Sequence, residues 1–345
     1  MSDAAAPLQR AVRALADHES LSEDLAAAVF AAVMRGEASP VQVAALLVGL
    51  RVKGETPEEV AGVATALRDA MVRVPADPTH LVDTCGTGGG TISTFNISTA
   101  AAFVVAAAGG RVAKHGNRSF TSKCGSADVL EALGVRIVLE PAAAARVLEQ
   151  ARITFLFAPN YHPAMKHVGP VRRELGVPSV MNLVGPLANP AGVTRQVLGV
   201  ADRDRGPLLA GALLRLGAKH AMVVHGRAGL DEISPRGITD VWEVRDGQIE
   251  TWELDPGPLG LEVADLAVLR GGEPPENAQR VERVLENGKG DAAGAAAVTL
   301  NAGAALYVAG RAGTYKEGVA LARETLAGGK ARERLETLRR VSTSE

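Results

Sequence analysis

The stretch DTCGTGGGTISTFNISTAAAFVVAAAGG, residues 83–110, decides the architecture. An apolar run at 81–85 enters it, and Gly86, Gly88, Gly89 and Gly90 make a tight backbone passage. Asn96, Ile97, Ser98 and Thr99 then introduce a helix of Ala, Phe and Val. A strand that passes through glycines into a helix is a natural phosphate seat. Glycines let backbone amides approach and turn toward a ligand, and the first helical turn leaves its amides without partners. The Ser98 and Thr99 hydroxyls add donors there. The stretch has neither a G-x-x-x-x-G-K-[ST] arrangement nor G-x-G-x-x-G spacing, so a P-loop and a dinucleotide fold are both disfavoured. Taken alone, such a turn also fits a connection that binds nothing.

The next element favours the phosphate reading. VAKHGNRSFTSKCGSADVLEALGV, residues 112–135, carries Lys114, His115, Arg118 and Lys123 among Asn117, Ser119, Thr121, Ser122 and Ser126, after a short apolar strand. Cations interleaved with short donors at the carboxyl end of a strand suit a phosphate-dense ligand: Lys supplies a point charge, Arg bonds two oxygens, and hydroxyls fix orientation. His115 reads as a packed ring that positions the loop, because a general base needs demonstrated geometry.

Toward the N-terminus the punctuation is helical. Ser39, Pro40 and Gln42, then Thr56, Pro57 and Glu59, place capping boxes before prolines at the first helical position, and Gly36 and Gly54 stop the preceding helices. With segments near 6–16 and 22–35 they predict a four-helix unit. Prolines 75 and 78 mark a connector. Beyond it, strand-like runs at 81–85, 111–114, 135–139, 153–157, 197–200 and 221–225 alternate with helical stretches, which predicts a mostly parallel sheet covered on both faces. Residues 241–244 and 249–254 form a hairpin across Asp246 and Gly247. Helices are expected at 276–287, 292–309, 316–327 and 331–340. The fold class is α/β: a small helical N-terminal domain (1–73, joined by about 172–190) and a larger mostly parallel-sheet domain (74–171 and 191–345).

Composition narrows the function. The 345 residues are 47% hydrophobic and only 3% aromatic, so the core must be built from Ala, Val, Leu and Ile. A net charge of -2 supplies no global field for nucleic acid or an anionic membrane. Two cysteines, Cys85 and Cys124, make neither a zinc cluster nor a secreted disulfide framework, and cytoplasmic solubility is the expectation.

At these elements the chain resembles the anthranilate phosphoribosyltransferase family. GTGGGTISTFNIST, VAKHGNRSFTSKCGSADVLEALG, FLFAPNYHPAMKHVGPVRRELG, NLVGPLANPAG and VVHGRAGLDEIS occur in the family's order along nearly the whole chain. The resemblance implies a nucleoside phosphorylase/phosphoribosyltransferase type of fold and transfer of the phosphoribosyl group from phosphoribosyl pyrophosphate (PRPP) to the amine of anthranilate, in tryptophan biosynthesis. It implies that PRPP is wrapped by Gly86, Gly89, Gly90, Thr94, Asn96, Ile97, Ser98 and Thr99. The same ligand is expected to meet Lys114, His115, Gly116, Asn117, Arg118, Ser119, Phe120, Thr121, Ser122 and Ser126. Anthranilate is expected near Gly86, Asn117, His162 and Arg172, and Mg2+ on Ser98, Asp231 and Glu232. It further implies a homodimer through the helical domain.

No residue is assigned as a catalytic base. The nucleophile is a neutral aromatic amine, so positioning and stabilisation of the leaving group carry the reaction. One departure stands out: many relatives have Asp after GTGG, where this chain has Gly90. Cys124, where serine is common, reads as a buried structural thiol. Two rivals remain: a pyrimidine nucleoside phosphorylase, which would not require Arg172 to hold a carboxylate, and a nucleic-acid-binding relative of the same fold.

Overall fold

The computed structural model describes residues 5–119 and 123–345 of the chain. The expected contacts of Phe120, Thr121 and Ser122 lie outside the described residues.

The N-terminal helices are α1 (Ala5–Ala16), α2 (Glu23–Met34), α3 (Pro40–Lys53) and α4 (Pro57–Asp69). Both capping boxes form: Ser39 with Gln42 and Thr56 with Glu59 satisfy amides reciprocally at the starts of α3 and α4. Glu59 is fully buried, and it also accepts from the Leu21 amide at 2.8 Å and from Lys53 at 2.9 Å.

Next come β1 (Leu81–Gly86), α5 (Ile97–Ala107), β2 (Arg111–Gly116), α6 (Ser126–Ala132), α7 (Pro141–Ala151), β3 (Ile153–Phe157), α8 (Ala158–Tyr161), α9 (Gly169–Leu175) and α10 (Val180–Val184). The chain continues through β4 (Arg195–Gly199), α11 (Arg205–Arg215), β5 (His220–Gly226), β6 (Thr239–Arg245) and β7 (Gln248–Leu254). Four helices end it: α12 (Pro274–Asn287), α13 (Ala292–Val308), α14 (Tyr315–Ala327) and α15 (Lys330–Ser344).

Among the described residues the strands make one sheet in the order β3-β2-β1-β4-β5-β6-β7. β3 to β5 run parallel, and β6 and β7 are antiparallel additions. The β6–β7 turn has Asp246 and Gly247 at φ 51° and 78°, as a two-residue turn matching the strand twist requires.

Strand alternation divides the interior into two cores. Met222 and Val224 of β5 join α5, α12 and α13, whereas Ala221 and Val223 face α11 and a core shared with α1 to α4 and α10.

The strand expected at 135–139 does not form. Val135, Ile137 and Leu139 are buried and Val138 is exposed, so the alternation is real, but the backbone finds side-chain partners. The Arg136 amide donates to Ser342 Oγ at 3.1 Å and Tyr161 OH donates to the Leu139 carbonyl at 2.8 Å. β3 is left as the edge of the sheet.

Candidate active site

Strand order reverses between β1 and β4: the chain proceeds from β1 toward β2 and β3 on one side, and from β4 toward β5 on the other. Ligands of open α/β sheets sit outside the carboxyl ends of strands at such a switch point. Gly86 and Gly199, the last residues of β1 and β4, are register partners there.

After β5, a bridge from Gly226 to Leu230 turns the chain back so that Asp231 and Glu232 reach the same edge. The approach is close enough to demand glycine: a Cβ on Gly199 would lie 1.8 Å from the Asp231 carbonyl oxygen. Cβ atoms on Gly86 and Gly90 would come within 3.2 Å and 3.1 Å of the Asp231 carboxylate oxygens. Gly88 and Gly89 take φ of 67° and 87° between them.

Asn96 caps α5 without a side-chain bond to the helix amides. Ile97 is buried, so its side chain belongs to the core. One of the predicted phosphate amides is already engaged, since Ser98 N donates to Glu232 Oε1 at 3.2 Å. The Thr99 hydroxyl is buried without a hydrogen-bond partner among the described residues. Thr94 lies in an antiparallel bridge with Arg270.

The cations of the second loop are placed differently from one another. Lys114 is buried; its ammonium donates to the Thr84 carbonyl and to Ser98 Oγ at 3.3 Å. Arg118 is turned to α6, where it pairs with Asp128 at 2.9 Å and with Glu131. Lys123 pairs with Glu273 at 3.1 Å. The last two are exposed pairs, which hold their charges weakly and leave them exchangeable. Gly116 ends β2, and Ser126 Oγ donates to the Asn117 carbonyl at 3.4 Å. The Asn117 carboxamide accepts from the Arg118 amide, and the Ser119 amide donates to Asp128.

Two residues to which the motifs assign no role, Asp83 and Asn189, hold the base of this arrangement. Asp83 accepts from the His115 amide at 3.2 Å and from Asn189 Nδ2 at 2.8 Å, and the same Asn189 amide reaches the Ala113 carbonyl. Burial pushes the Asp83 carboxyl up to about 6, against the pull of Lys114 and of these hydrogen bonds. The same burial lowers the Lys114 pKa, with Asp83 and Glu232 opposing that shift. Asn301 on α13 receives the Ile233 amide at 3.0 Å and so anchors the residue that follows the acidic pair.

His162 follows α8 and its Nε2 meets His115 Nε2 at 3.2 Å. Burial drives His115 down to about 3 and His162 to about 4, so both rings are neutral near pH 7. Arg172 is half-buried on α9 and donates to Asn182 Oδ1 at 3.3 Å, while the adjacent Arg173 is exposed. Desolvation lowers the Arg172 pKa from its ordinary value. Neighbouring helical side chains diverge by about 100°, so the two arginines face different surroundings.

A sequence profile described as "Glycosyl transferase family, a/b domain" matches residues 78–332, and one described as "Glycosyl transferase family, helical bundle domain" matches residues 9–71. The anthranilate phosphoribosyltransferase of Thioalkalivibrio sulfidiphilus is 51% identical over 332 residues, covering 96% of this chain and 97% of that protein. This chain belongs to the anthranilate phosphoribosyltransferase family. The crystal structure of the family member from Thermus thermophilus superposes with a TM-score of 0.90 at 46% identity, over 96% of this chain and 99% of that one. The Saccharomyces cerevisiae member, in complex with PRPP and Mg, gives a TM-score of 0.89 at 28% identity, over 99% of each chain.

Magnesium, which the yeast family member carries, fits the donors gathered here. Asp231 lies against Gly86 and Gly90 and Glu232 bonds the Ser98 amide, so the two bring hard carboxylate oxygens to this edge. Burial raises the Asp231 pKa, and burial together with the Asp231 charge pushes Glu232 up to about 8. A pair of carboxylates under that pressure is relieved by a cation. Among the described residues no group of three His, Cys, Asp or Glu could hold a metal ion. Mg2+ characteristically uses one or two carboxylates and takes its other ligands from water and substrate phosphates.

Proposed function

We propose that this chain transfers the 5-phosphoribosyl group of PRPP to the amine of anthranilate, giving N-(5-phosphoribosyl)anthranilate and pyrophosphate, a step of tryptophan biosynthesis. The observation that carries this reading is the packing of Gly86, Gly90 and Gly199 on Asp231 at the β1/β4 switch point, with Glu232 bonded to the Ser98 amide beside them. In this reading Gly86, Gly89, Gly90, Thr94 and Asn96 to Thr99, together with the loop from Lys114 to Ser122 and with Ser126, hold the phosphates of PRPP. Asp231, Glu232 and the Ser98 hydroxyl would hold magnesium, which when bound neutralises and orients the pyrophosphate.

The amine nitrogen attacks C1 of the ribose as the bond from C1 to the pyrophosphate oxygen breaks, and the bonding pair leaves with pyrophosphate. The nitrogen then gives one proton to the departing pyrophosphate or to water. His115 and His162, both neutral and packed on each other, serve as walls rather than as bases. Arg172 pairs with the anthranilate carboxylate, while Asn117, Gly86 and His162 orient the ring. The cleft is set between the helical unit (1–73, joined by about 172–190) and the larger unit (74–171 and 191–345). Cys85 and Cys124 are not joined in a disulfide among the described residues, in keeping with a cytoplasmic enzyme.

Replacing Arg172 with Ala is expected to raise the anthranilate KM at least tenfold and to leave the PRPP KM within about twofold, as loss of one ligand's carboxylate partner requires. Equal effects on both would remove Arg172 from this role. The phosphorylase rival predicts turnover of thymidine with phosphate, and the nucleic-acid rival predicts retention of single-stranded DNA; both are measured on the same preparation.

A homodimer through the helical unit is supported by an exposed apolar stripe on α3, where Val41 and Val52 are 79% and 68% exposed and Val48 lies between them. Val41→Lys with Val52→Lys should convert a dimer to monomer in sedimentation velocity. An unchanged sedimentation coefficient would move the interface elsewhere.

A further inference from the structure

Helix α12 lies behind both phosphate loops, yet two side chains one turn apart on it reach the glycine-rich stretch. Asn277, which is 3% exposed, donates Nδ2 to Asn96 Oδ1 at 3.0 Å and receives the Gly272 amide on Oδ1 at 2.8 Å. Asn96 in turn donates Nδ2 to the Cys124 carbonyl at 3.2 Å. One pair of carboxamides therefore ties α12 to the first loop and the first loop to the second.

Arg280 sits three residues further along, on the same face of the helix. Its guanidinium lies 4.4 Å from the centre of the Phe95 ring. It donates to the carbonyls of Val268 at 2.7 Å and Arg270 at 3.2 Å. Asp291 fixes its orientation, pairing with Nε at 2.6 Å while also capping α13 through the Gly294 amide. The carbonyl strip that Arg280 grips is the one laced to the phosphate loop: Phe95 N donates to the Leu269 carbonyl and Gly271 N to the Ser93 carbonyl, each at 3.0 Å. The lacing is tight at Gly271, where a Cβ would stand 2.6 Å from the Thr94 carbonyl oxygen.

We infer that Asn277 and Arg280 are positioning residues for PRPP, setting the backbone from Ser93 to Asn96 at a fixed distance from the Cys124 loop without touching the substrate. The inference rests on the reading of Thr94 and Asn96 as PRPP contacts. Asn277 spends its carboxamide on loop atoms, so its removal is felt first at the loop. A position error of a fraction of an ångström in such a seat weakens binding of the ligand it was shaped for.

The test is steady-state kinetics on the full chain for Asn277→Ala, Asn277→Asp and Arg280→Lys, with Asn96→Ala as a benchmark and thermal midpoints measured alongside. Asn277→Asp keeps the acceptor for the Gly272 amide and loses the donor to Asn96; it serves if the alanine variant folds poorly. Arg280→Lys keeps the charge beside Asp291 and loses the fork that spans two carbonyls. Each variant is expected to raise the PRPP KM about tenfold with the anthranilate KM within about twofold, the signature of a disturbed PRPP seat. A purely structural role would lower the thermal midpoint and kcat and leave the KM ratio unmoved, and that result overturns the inference. If Asn96→Ala raises the PRPP KM and the α12 variants do not, the inference falls while the reading of the loop stands. If Asn96→Ala itself leaves that KM unchanged, the underlying reading fails and the inference with it.

Discussion

Replacing Asp231 with Asn and Glu232 with Gln together is expected to lower kcat/KM on the order of a thousandfold while leaving the fold at least as stable. The two effects have one cause. Glu232 sits in a site whose burial, together with the charge of Asp231, pushes its carboxyl up to about 8. Neutral isosteres remove that repulsion and leave Lys114 the Asp83 charge and its bonds to Thr84 and Ser98, so unfolding in urea at pH 8 should show a gain of about 1 kcal/mol. They also remove the oxygen charge proposed to hold magnesium. The wild-type chain should gain thermal stability from magnesium with PRPP and the double variant should not. Full activity with an unchanged magnesium titration would detach the acidic pair from the reaction.

Lys114→Met should be the most damaging change to the fold of the site. The lysine is the buried cation between Asp83 and Glu232, and its ammonium bonds the Thr84 carbonyl and Ser98 Oγ. Removing one partner from a buried set of charges costs about 3 kcal/mol, and the loss of a phosphate cation should lower kcat/KM on the order of a hundredfold.

The stability cost should depend on pH through Asp83. Its folded pKa of about 6 lies above the ordinary 3.8. The stability it contributes is therefore complete below about 3.8 and is lost as pH rises through about 6. Without Lys114 its pKa climbs further and the loss deepens. The difference between Lys114→Met and wild type should be small at pH 5 and large at pH 8 in urea titrations. A difference independent of pH would show that Asp83 does not sense the lysine.

Local features were legible in the chain, and partners distant in sequence were not. The capping boxes at Ser39 and Thr56, the turn at Asp246 and Gly247, and the entry from β1 into α5 are written in adjacent residues whose backbone demands are specific. Motif order also pointed to Asp231 and Glu232, which the structure brings to Gly86 and Ser98, and to Arg172, which it places beside Asn182. By contrast, Asn189 reaches Asp83 across 106 positions and Asn277 reaches Asn96 across 181, and neither asparagine carries a local pattern that announces its partner.

The segment at 135–139 failed for a related reason. Alternating burial describes any extended chain on a core, whereas a strand also needs a neighbour for its backbone, and here Ser342 and Tyr161 took that place. Arg118, a cation interleaved with hydroxyls, reads as a phosphate contact, and the local pattern does not announce the acidic partners it has on α6. Its pairing with Asp128 and Glu131 depends on how α6 turns back on the loop.

The central claim is that the switch-point crevice joins PRPP to anthranilate. Its most direct test mixes the purified chain with magnesium, PRPP and anthranilate and follows anthranilate fluorescence together with released pyrophosphate. Fluorescence is expected to fall with one pyrophosphate formed per anthranilate consumed, and not to fall when PRPP is omitted. Persistent fluorescence across a broad range of magnesium and pH, with the chain folded, would contradict it.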